Sequence, residues 1–144
     1  MKRTTKNRIA SLFIGITFLI SGFAYAIISA VPSGTGSTGW AAILVILVDG
    51  EQYPIPAETG YVNNETFSKL YTISTDGVLY KGVEGDVMLG EFFKAWNKTF
   101  NSTCVLDYCN TNTSSMMMFV NGRQNLDYEY YIVKSQDQII IDYR

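Results

Sequence analysis

Two cysteines and a methionine run are the residues of this 144-residue chain whose types and spacing could do chemistry. Cys104 and Cys109 are separated by four residues, and Met116–Met118 follow shortly afterwards. In an exported protein such a pair most often forms a disulfide, which we predict here. The alternative is a copper-handling protein, in which both thiolates and a sulfur of the methionine run hold Cu(I). The chain contains no histidine, so zinc and type-1 copper sites lack their imidazole ligands.

The other polar residues do not form a pattern typical of an active site. Ser/His and Cys/His nucleophilic systems need a histidine, and the chain has none. Gly34 and Gly36 lie in a Gly/Ser segment instead of after a strand, where a phosphate-binding loop would place them. Glu84, Asp86 and Glu91 could form a general acid/base pair or a weak Ca²⁺ site, but we expect them to stabilise a helix N-terminus and to be solvated. We therefore predict no enzyme, no cofactor and no metal site.

An uncharged and largely apolar run extends from Ile9 to Val31. It is longer than the roughly 20 residues that span a bilayer. Four basic residues precede it, namely Lys2, Arg3, Lys6 and Arg8. The positive-inside rule then predicts residues 1–8 as a cytoplasmic tail, 9–31 as a transmembrane signal-anchor helix in membrane lipid, and the remainder as extracellular. A cleaved signal peptide is the alternative, because small residues at Ala24–Ala26 and Ser29-Ala30 resemble cleavage sites.

The exported region consists of a predicted Gly/Ser linker at 32–39 and one predicted domain at 40–144. Together they hold seven basic and thirteen acidic residues, a balance of −6. An acidic domain without a Lys/Arg patch binds nucleic acid poorly, so we predict no nucleic-acid partner. Abundant Tyr and Phe residues favour a folded domain with a core.

Four N-x-[ST] sequons occur in this region, and in an exported protein they predict N-linked glycans on the surface. The acceptor residues are Asn64, Asn97, Asn101 and Asn112.

The clearest helix is predicted from Met88 to about Lys98. Its large apolar residues recur with a period of 3.6 residues and should form the centre of the core. They are Leu89, Phe92, Phe93, Trp96 and Phe100. Gly90 lowers helix propensity, which suggests close packing onto a sheet where a side chain would not fit. Asp86 or Glu91 should interact with the first-turn N–H groups.

Several strands are predicted around this helix. Ala41–Val48 and Gln52–Ile55 flank Asp49-Gly50, a strong hairpin signal, and Pro54 makes the return strand short or an edge strand. The other predicted strands are Ser68–Ser74, Val78–Lys81, Met116–Val120, Tyr130–Val133 (strand or extended) and Gln138–Tyr143. This order, with the Lys134–Ile141 ending, resembles β-grasp (ubiquitin-like) domains. The fold class implied is α+β, with one main helix across a mixed sheet of four to six strands.

Three further motifs resemble an exported, membrane-anchored family found mainly in archaea, whose function is not settled. They are Ile55-Pro56-Ala57-x-x-Gly60, Leu89-Gly90-Glu91-Phe92-Phe93-x-x-Trp96 and Phe119-Val120-Asn121-Gly122. Members of this family commonly carry the cluster H-T-H-D-x-x-G-x-I-H between the first two motifs. Aligned on Gly77, this chain has Tyr71, Ile73 and Tyr80 in place of the three histidines. We expect these residues to line one small area between strands and not to bind metal.

The sequence thus favours a non-catalytic structural or accessory subunit, or a protein-interaction module, in a complex at the cell surface or in the membrane. Its partners would be other membrane or cell-surface proteins, and the best candidates for the contact are Tyr128, Tyr130 and Tyr131. The alternative within the structural class is a subunit of an extracellular filament that grows by edge-strand addition.

Overall fold

The computed structural model describes residues 39–63 and 66–144. The predicted tail (1–8), the predicted membrane span (9–31), all of the linker except Gly39, and Asn64 lie outside these residues. Within the described part, no helix is long and apolar enough to cross a membrane. Trp40–Arg144 form a compact unit.

Strand β1 (Ala42–Val48) lies at the centre of the main sheet, and its residues Ala42, Leu44 and Ile46 are buried. Its turn, Asp49-Gly50, has positive φ at both residues (52° and 83°), as a two-residue hairpin requires. The chain returns as β2 (Glu51–Tyr53), which pairs antiparallel with β1. The predicted hairpin and its short second strand are confirmed.

The other edge of β1 pairs in parallel with the last strand, so the first and last predicted strands are neighbours in the sheet. Parallel pairing runs from Ile43 opposite Gln138 to Val48 opposite Tyr143. The remaining strands of this sheet are β5 (Leu70–Tyr71), β6 (Val78–Lys81), β9 (Met116–Val120), β10 (Arg123–Gln124) and β11 (Gln138–Tyr143).

The sheet has seven strands in the order β10-β9-β11-β1-β6-β5, with β2 also on β1. The α+β class with a mixed sheet and one helix is confirmed, but four to six strands were predicted. The difference comes from two-residue strands such as β10, which are too short to show periodicity. Two separate small hairpins were also not predicted: β3 (Tyr61–Asn63) with β4 (Thr66–Phe67), and β7 (Cys104–Val105) with β8 (Tyr108–Cys109).

Helix α1 (Leu89–Ala95) is shorter than predicted. It ends because Asn97 takes a left-handed conformation (φ 57°) and donates its N–H to the Lys94 carbonyl. Beyond that turn Phe100 still reaches the core, through a bridge to Val105. Leu89, Phe92 and Phe93 are fully buried, as the period predicts, whereas Trp96 is only partly buried.

Two expectations about the start of this helix are corrected. Met88 is the N-cap residue and no side chain caps the helix; Glu91, in the first turn, forms an ion pair with Lys69 (3.4 Å). Gly90 does pack closely, but not onto the sheet. A Cβ at Gly90 would lie 2.9 Å from the carbonyl oxygen of Glu129, which belongs to a 3₁₀ helix.

This 3₁₀ helix, η1 (Tyr128–Tyr130), partly replaces the predicted Tyr130–Val133 strand. Only the residues after it are extended. Ile132 bridges Met88, and the Val133 N–H donates to the Val87 carbonyl (3.0 Å). The segment therefore lies against the N-terminus of α1.

Candidate functional site: a groove between the helix and the 3₁₀ turn

A groove of about 290 Å³ lies between α1 and η1. Gly90 lines it, and the missing side chain there lets the backbone of η1 approach the helix closely. Its floor and walls combine buried aromatic residues with exposed apolar and charged ones. The lining residues are Met88, Gly90, Glu91, Phe93, Lys94, Lys98, Phe100, Glu129 and Tyr130.

The mouth of the groove carries exposed apolar side chains. Tyr130 is 68% exposed and Met88 is 45% exposed, and both line the groove. Ile132, which is 38% exposed, is held beside Met88 by an isolated antiparallel bridge. Together with the buried Phe93 below them, these residues form an apolar surface that we call the helix groove. Such a contiguous apolar surface is typical of a contact site.

Charged residues surround the helix groove. Two of them are already used within the chain: Glu91 pairs with Lys69 at 3.4 Å, and Lys98 pairs with Asp107 at 3.7 Å. Lys94 and Glu129 have no ion-pair partner among the residues that the structure describes. The rim therefore offers one unpaired cation and one unpaired carboxylate.

The three predicted interface tyrosines all lie in or beside η1, but they point to different surroundings. Tyr130 lines the helix groove. Tyr128 and Tyr131 pack against the core, and the Tyr131 hydroxyl donates to Asp137 (2.8 Å). The sequence pattern did not identify Met88, Ile132 and Glu129 as neighbours of Tyr130. The one signal for them was Gly90, which indicated a close approach without revealing what approaches.

Asp137 is a buried carboxylate that joins three segments of the chain. Its oxygens accept hydrogen bonds from the Tyr131 hydroxyl (2.8 Å), the Asn121 amide (2.9 Å) and the Lys134 N–H (2.7 Å). Asn121 also accepts from the Gln138 N–H (2.9 Å). The asparagine of the Phe119–Gly122 motif and the aspartate of the C-terminal ending thus form one hydrogen-bond network that connects the β9–β10 turn to β11.

Because of this network, the free energy of unfolding should depend on pH in the alkaline range. Burial, and then the hydrogen bond to Asp137, raise the pKa of Tyr131 above its ordinary value of 10.0. A raised pKa contributes stability that is present below pH 10 and lost as pH rises toward the folded-state value. We expect the free energy of unfolding to fall above about pH 10, and urea unfolding across pH 8–11 should detect it. Tyr131→Phe should reduce this slope, though not abolish it, because burial also raises the pKa of Tyr71 and Tyr80. An unchanged slope would contradict the assignment.

The predicted disulfide is confirmed. Cys104 and Cys109 are bonded across the β7–β8 hairpin, directly opposite each other. A Cu(I) site would need both cysteines as reduced thiolates, whereas in the disulfide both are oxidised. Two of the three candidate methionines, Met116 and Met118, are buried in the core face of β9.

Breaking this disulfide should have a modest effect. The bond closes a loop of only a few residues, so replacing both cysteines by Ser should lower the free energy of unfolding by about 2 kcal/mol. Urea unfolding with and without a reductant checks this value for the unmodified protein. Labelling of the unreduced, unfolded chain should detect no free thiol. Two labelled cysteines would contradict the disulfide and support the Cu(I) hypothesis.

The structure brings together only in part Tyr71, Ile73 and Tyr80, the residues that the sequence alignment expected in place of the histidine cluster. Tyr71 on β5 and Tyr80 on β6 are cross-strand neighbours, with stacked rings 5.8 Å apart. Tyr61 meets Tyr71 edge-on at 5.8 Å. Ile73 lies beyond the end of β5 and is half exposed. In the described residues no group of three or more His, Cys, Asp or Glu side chains could hold a metal ion.

The first motif, Ile55–Gly60, has a structural role in this chain. The Pro56 carbonyl accepts hydrogen bonds from the hydroxyls of Thr59 and Thr72, both at 2.9 Å. Gly60 has φ 88°, and a Cβ there would lie 2.6 Å from the Leu70 carbonyl oxygen. A side chain cannot fit at this position, which explains the terminal glycine of the motif.

The sequons that the structure describes differ in their surroundings. Asn97 and Asn112 are exposed, at the C-terminal end of α1 and in the loop before β9. Asn101 is partly buried, and its side chain is held in the turn that leads to β7.

No protein-family model, no curated protein and no solved structure was found to match this chain.

Proposed function

We propose that this chain is a single-pass, membrane-anchored extracellular glycoprotein that acts as a non-catalytic accessory subunit or protein-interaction module. The observation that carries the proposal is the helix groove, where Met88 and Tyr130 are exposed in the lining and the exposed Ile132 bridges Met88. Exposed aromatic and methionine side chains around a concave surface are enriched in protein interfaces.

Export is supported by independent features of the chain. The uncharged run at 9–31 and the basic residues before it are typical of a signal anchor. The disulfide between Cys104 and Cys109 is the kind of bond that persists outside the reducing cytosol. Four sequons in the exported region are consistent with the same compartment.

The partner should present an apolar side chain flanked by a carboxylate. The groove volume and the buried ring of Phe93 suit an aliphatic or aromatic anchor. Lys94 lies on the rim without an ion-pair partner in the described part of the chain, so an acidic neighbour of the anchor would be attracted there. A membrane or cell-surface protein held beside the same bilayer would meet the groove at high local concentration.

The finer fold that we propose is a β-grasp domain. Support comes from the strand order β2-β1-β11-β9-β10, with its parallel central pair β1–β11 and a helix between the first hairpin and β9. The strands β5 and β6 would then be an insertion that extends the sheet beside β1.

Size analysis of the full chain purified in mild detergent tests the proposal. We expect a complex of defined size, which Tyr130→Glu should dissociate by placing a charge in the apolar groove. Val62→Glu is the matched control, because Val62 is equally exposed (66%) and does not line the groove. Loss of the complex in both variants, or in neither, would contradict the assignment of the groove. Open-ended polymers would favour the filament alternative.

A further inference from the structure

We infer that the disulfide Cys104–Cys109 controls modification of Asn101, which accepts a glycan only before the bond closes. The inference rests on the export that the proposed function includes. It concerns a difference between sequons that the sequence motif alone does not reveal.

The Asn101 side chain is engaged in a closed turn. Its Oδ1 accepts three hydrogen bonds, from the Thr103 N–H (2.9 Å), the Thr103 hydroxyl (3.0 Å) and the Cys104 N–H (2.9 Å). The Asn101 N–H in turn donates to the Cys104 carbonyl (3.0 Å). Asn101 and Thr103, the two residues that define the sequon, are thus hydrogen-bonded to each other, and Asn101 is also hydrogen-bonded to Cys104.

The disulfide and the hairpin fasten this turn from the other side. Cys104 is bonded to Cys109, and the Asn110 N–H donates to the Thr103 carbonyl (2.8 Å). Leu106 also donates its N–H to the Thr99 carbonyl (2.8 Å). A transferase that binds the sequon only when it is released from the folded domain would first have to break these hydrogen bonds and work against the disulfide.

The exposed sequon at Asn112 is held differently. The Thr111 N–H donates to the Ser114 carbonyl (2.8 Å), and the Thr111 hydroxyl accepts from the N–H groups of Thr113 and Ser114, so this turn is closed by local bonds alone. In the described structure no hydrogen bond involves the Asn112 side chain, and no disulfide closes its loop. Asn112 therefore serves as an internal reference on the same chain.

Two separate reactions act on this segment. Glycan transfer forms a bond from Asn101 Nδ2 to the anomeric carbon of a lipid-linked oligosaccharide. The bond from that carbon to the donor's phosphate oxygen breaks, the phosphate leaves with the electron pair, and Nδ2 loses one proton. Disulfide closure transfers two electrons and two protons from Cys104 and Cys109 to an external disulfide oxidant, which becomes a dithiol. Closure takes seconds to hours, which leaves time for earlier transfer.

A glycan added first is compatible with the final fold. The turn uses Oδ1 of Asn101, and none of the contacts in the described structure uses Nδ2. Chains modified at Asn101 can therefore still close the turn and the disulfide. The exported protein should be a mixture, in which the share modified at Asn101 records how far oxidation lagged behind transfer.

Glycopeptide mass spectrometry of the full chain, expressed in a cell that N-glycosylates exported proteins, tests this inference. We expect lower occupancy at Asn101 than at Asn112, and a severalfold rise at Asn101 alone when both cysteines are replaced by Ser. Brief treatment of cells making the unmodified chain with a thiol reductant should give the same rise. Leu44→Ala, a buried change in β1 that keeps the disulfide, is the control for general destabilisation and should leave the ratio of the two sites unchanged.

The outcomes separate this inference from the proposed function. If Asn112 carries glycans and the occupancy at Asn101 is the same with and without the disulfide, the inference is overturned and the proposed export is unaffected. An equal rise at both sites in the double Ser variant and in Leu44→Ala would also overturn it, since general unfolding would then explain the effect. Absence of glycan from every sequon would overturn the glycoprotein assignment, and the inference with it.

Discussion

Replacing Phe93 by Ala should lower the free energy of unfolding by about 3–5 kcal/mol, the range found for large-to-small core changes. Phe93 is fully buried and stacks on Phe100 with ring centroids 4.4 Å apart. It also contacts Phe92 edge-on and lies beside Trp96. Removing the ring leaves a cavity at the point where α1 joins the core. Urea unfolding of the full chain in mild detergent, followed by circular dichroism, measures the loss.

Two control variants show whether this loss comes from the cavity. Phe93→Leu keeps most of the apolar volume and should cost clearly less than Phe93→Ala. Trp96→Ala, which the helical period alone would rank as an equal core change, should also cost less, because Trp96 is only partly buried. If Trp96→Ala proved more destabilising than Phe93→Ala, the packing described for α1 would be wrong.

Replacing Asp137 by Ala should lower the free energy of unfolding by about 2–4 kcal/mol. The carboxylate is 4% exposed, and its removal leaves the Tyr131 hydroxyl and the Asn121 amide without their acceptor. Hydrogen bonds to a charged group contribute about 1.5–3 kcal/mol each. Part of the loss is recovered because Asn121 is exposed and Tyr131 is only half-buried, so water can replace the acceptor. The same unfolding measurement applies, and Asp137→Asn should fall between the two proteins because it keeps one acceptor oxygen.

Asp107→Ala is the matched control for the loss of a carboxylate. The Asp107 side chain is 85% exposed and its ion pair with Lys98 spans 3.7 Å. Exposed pairs of this kind contribute about 0–1 kcal/mol. A comparable loss in both variants would mean that net charge, not the buried network, explains the effect of Asp137.

Elements whose signal lies in neighbouring residues were predictable from the sequence. Asp49-Gly50 identified the first hairpin because these residues tolerate the positive φ that the turn requires. The spacing of Leu89, Phe92 and Phe93 identified the buried face of α1. The spacing of the two cysteines, together with the predicted export of the domain, identified the disulfide.

Contacts between distant segments depended on the tertiary structure. Parallel pairing of β1 with β11, the reach of Asp137 to Asn121, and the approach of Glu129 to Gly90 each join residues far apart in the sequence. Strands of two residues and a 3₁₀ turn carry too few residues to show a period, so η1 resembled a strand.

The same distinction applies to the candidate site. Tyr130 could be nominated from its residue type, but its position beside Met88 and Ile132 exists only because η1 folds against the start of α1. By itself, the sequence determined which faces of the strands and the helix are apolar, since a residue's type decides whether its burial is favourable. The tertiary structure alone decided which apolar surfaces meet and which stay open, because that depends on long-range packing that local spacing does not encode.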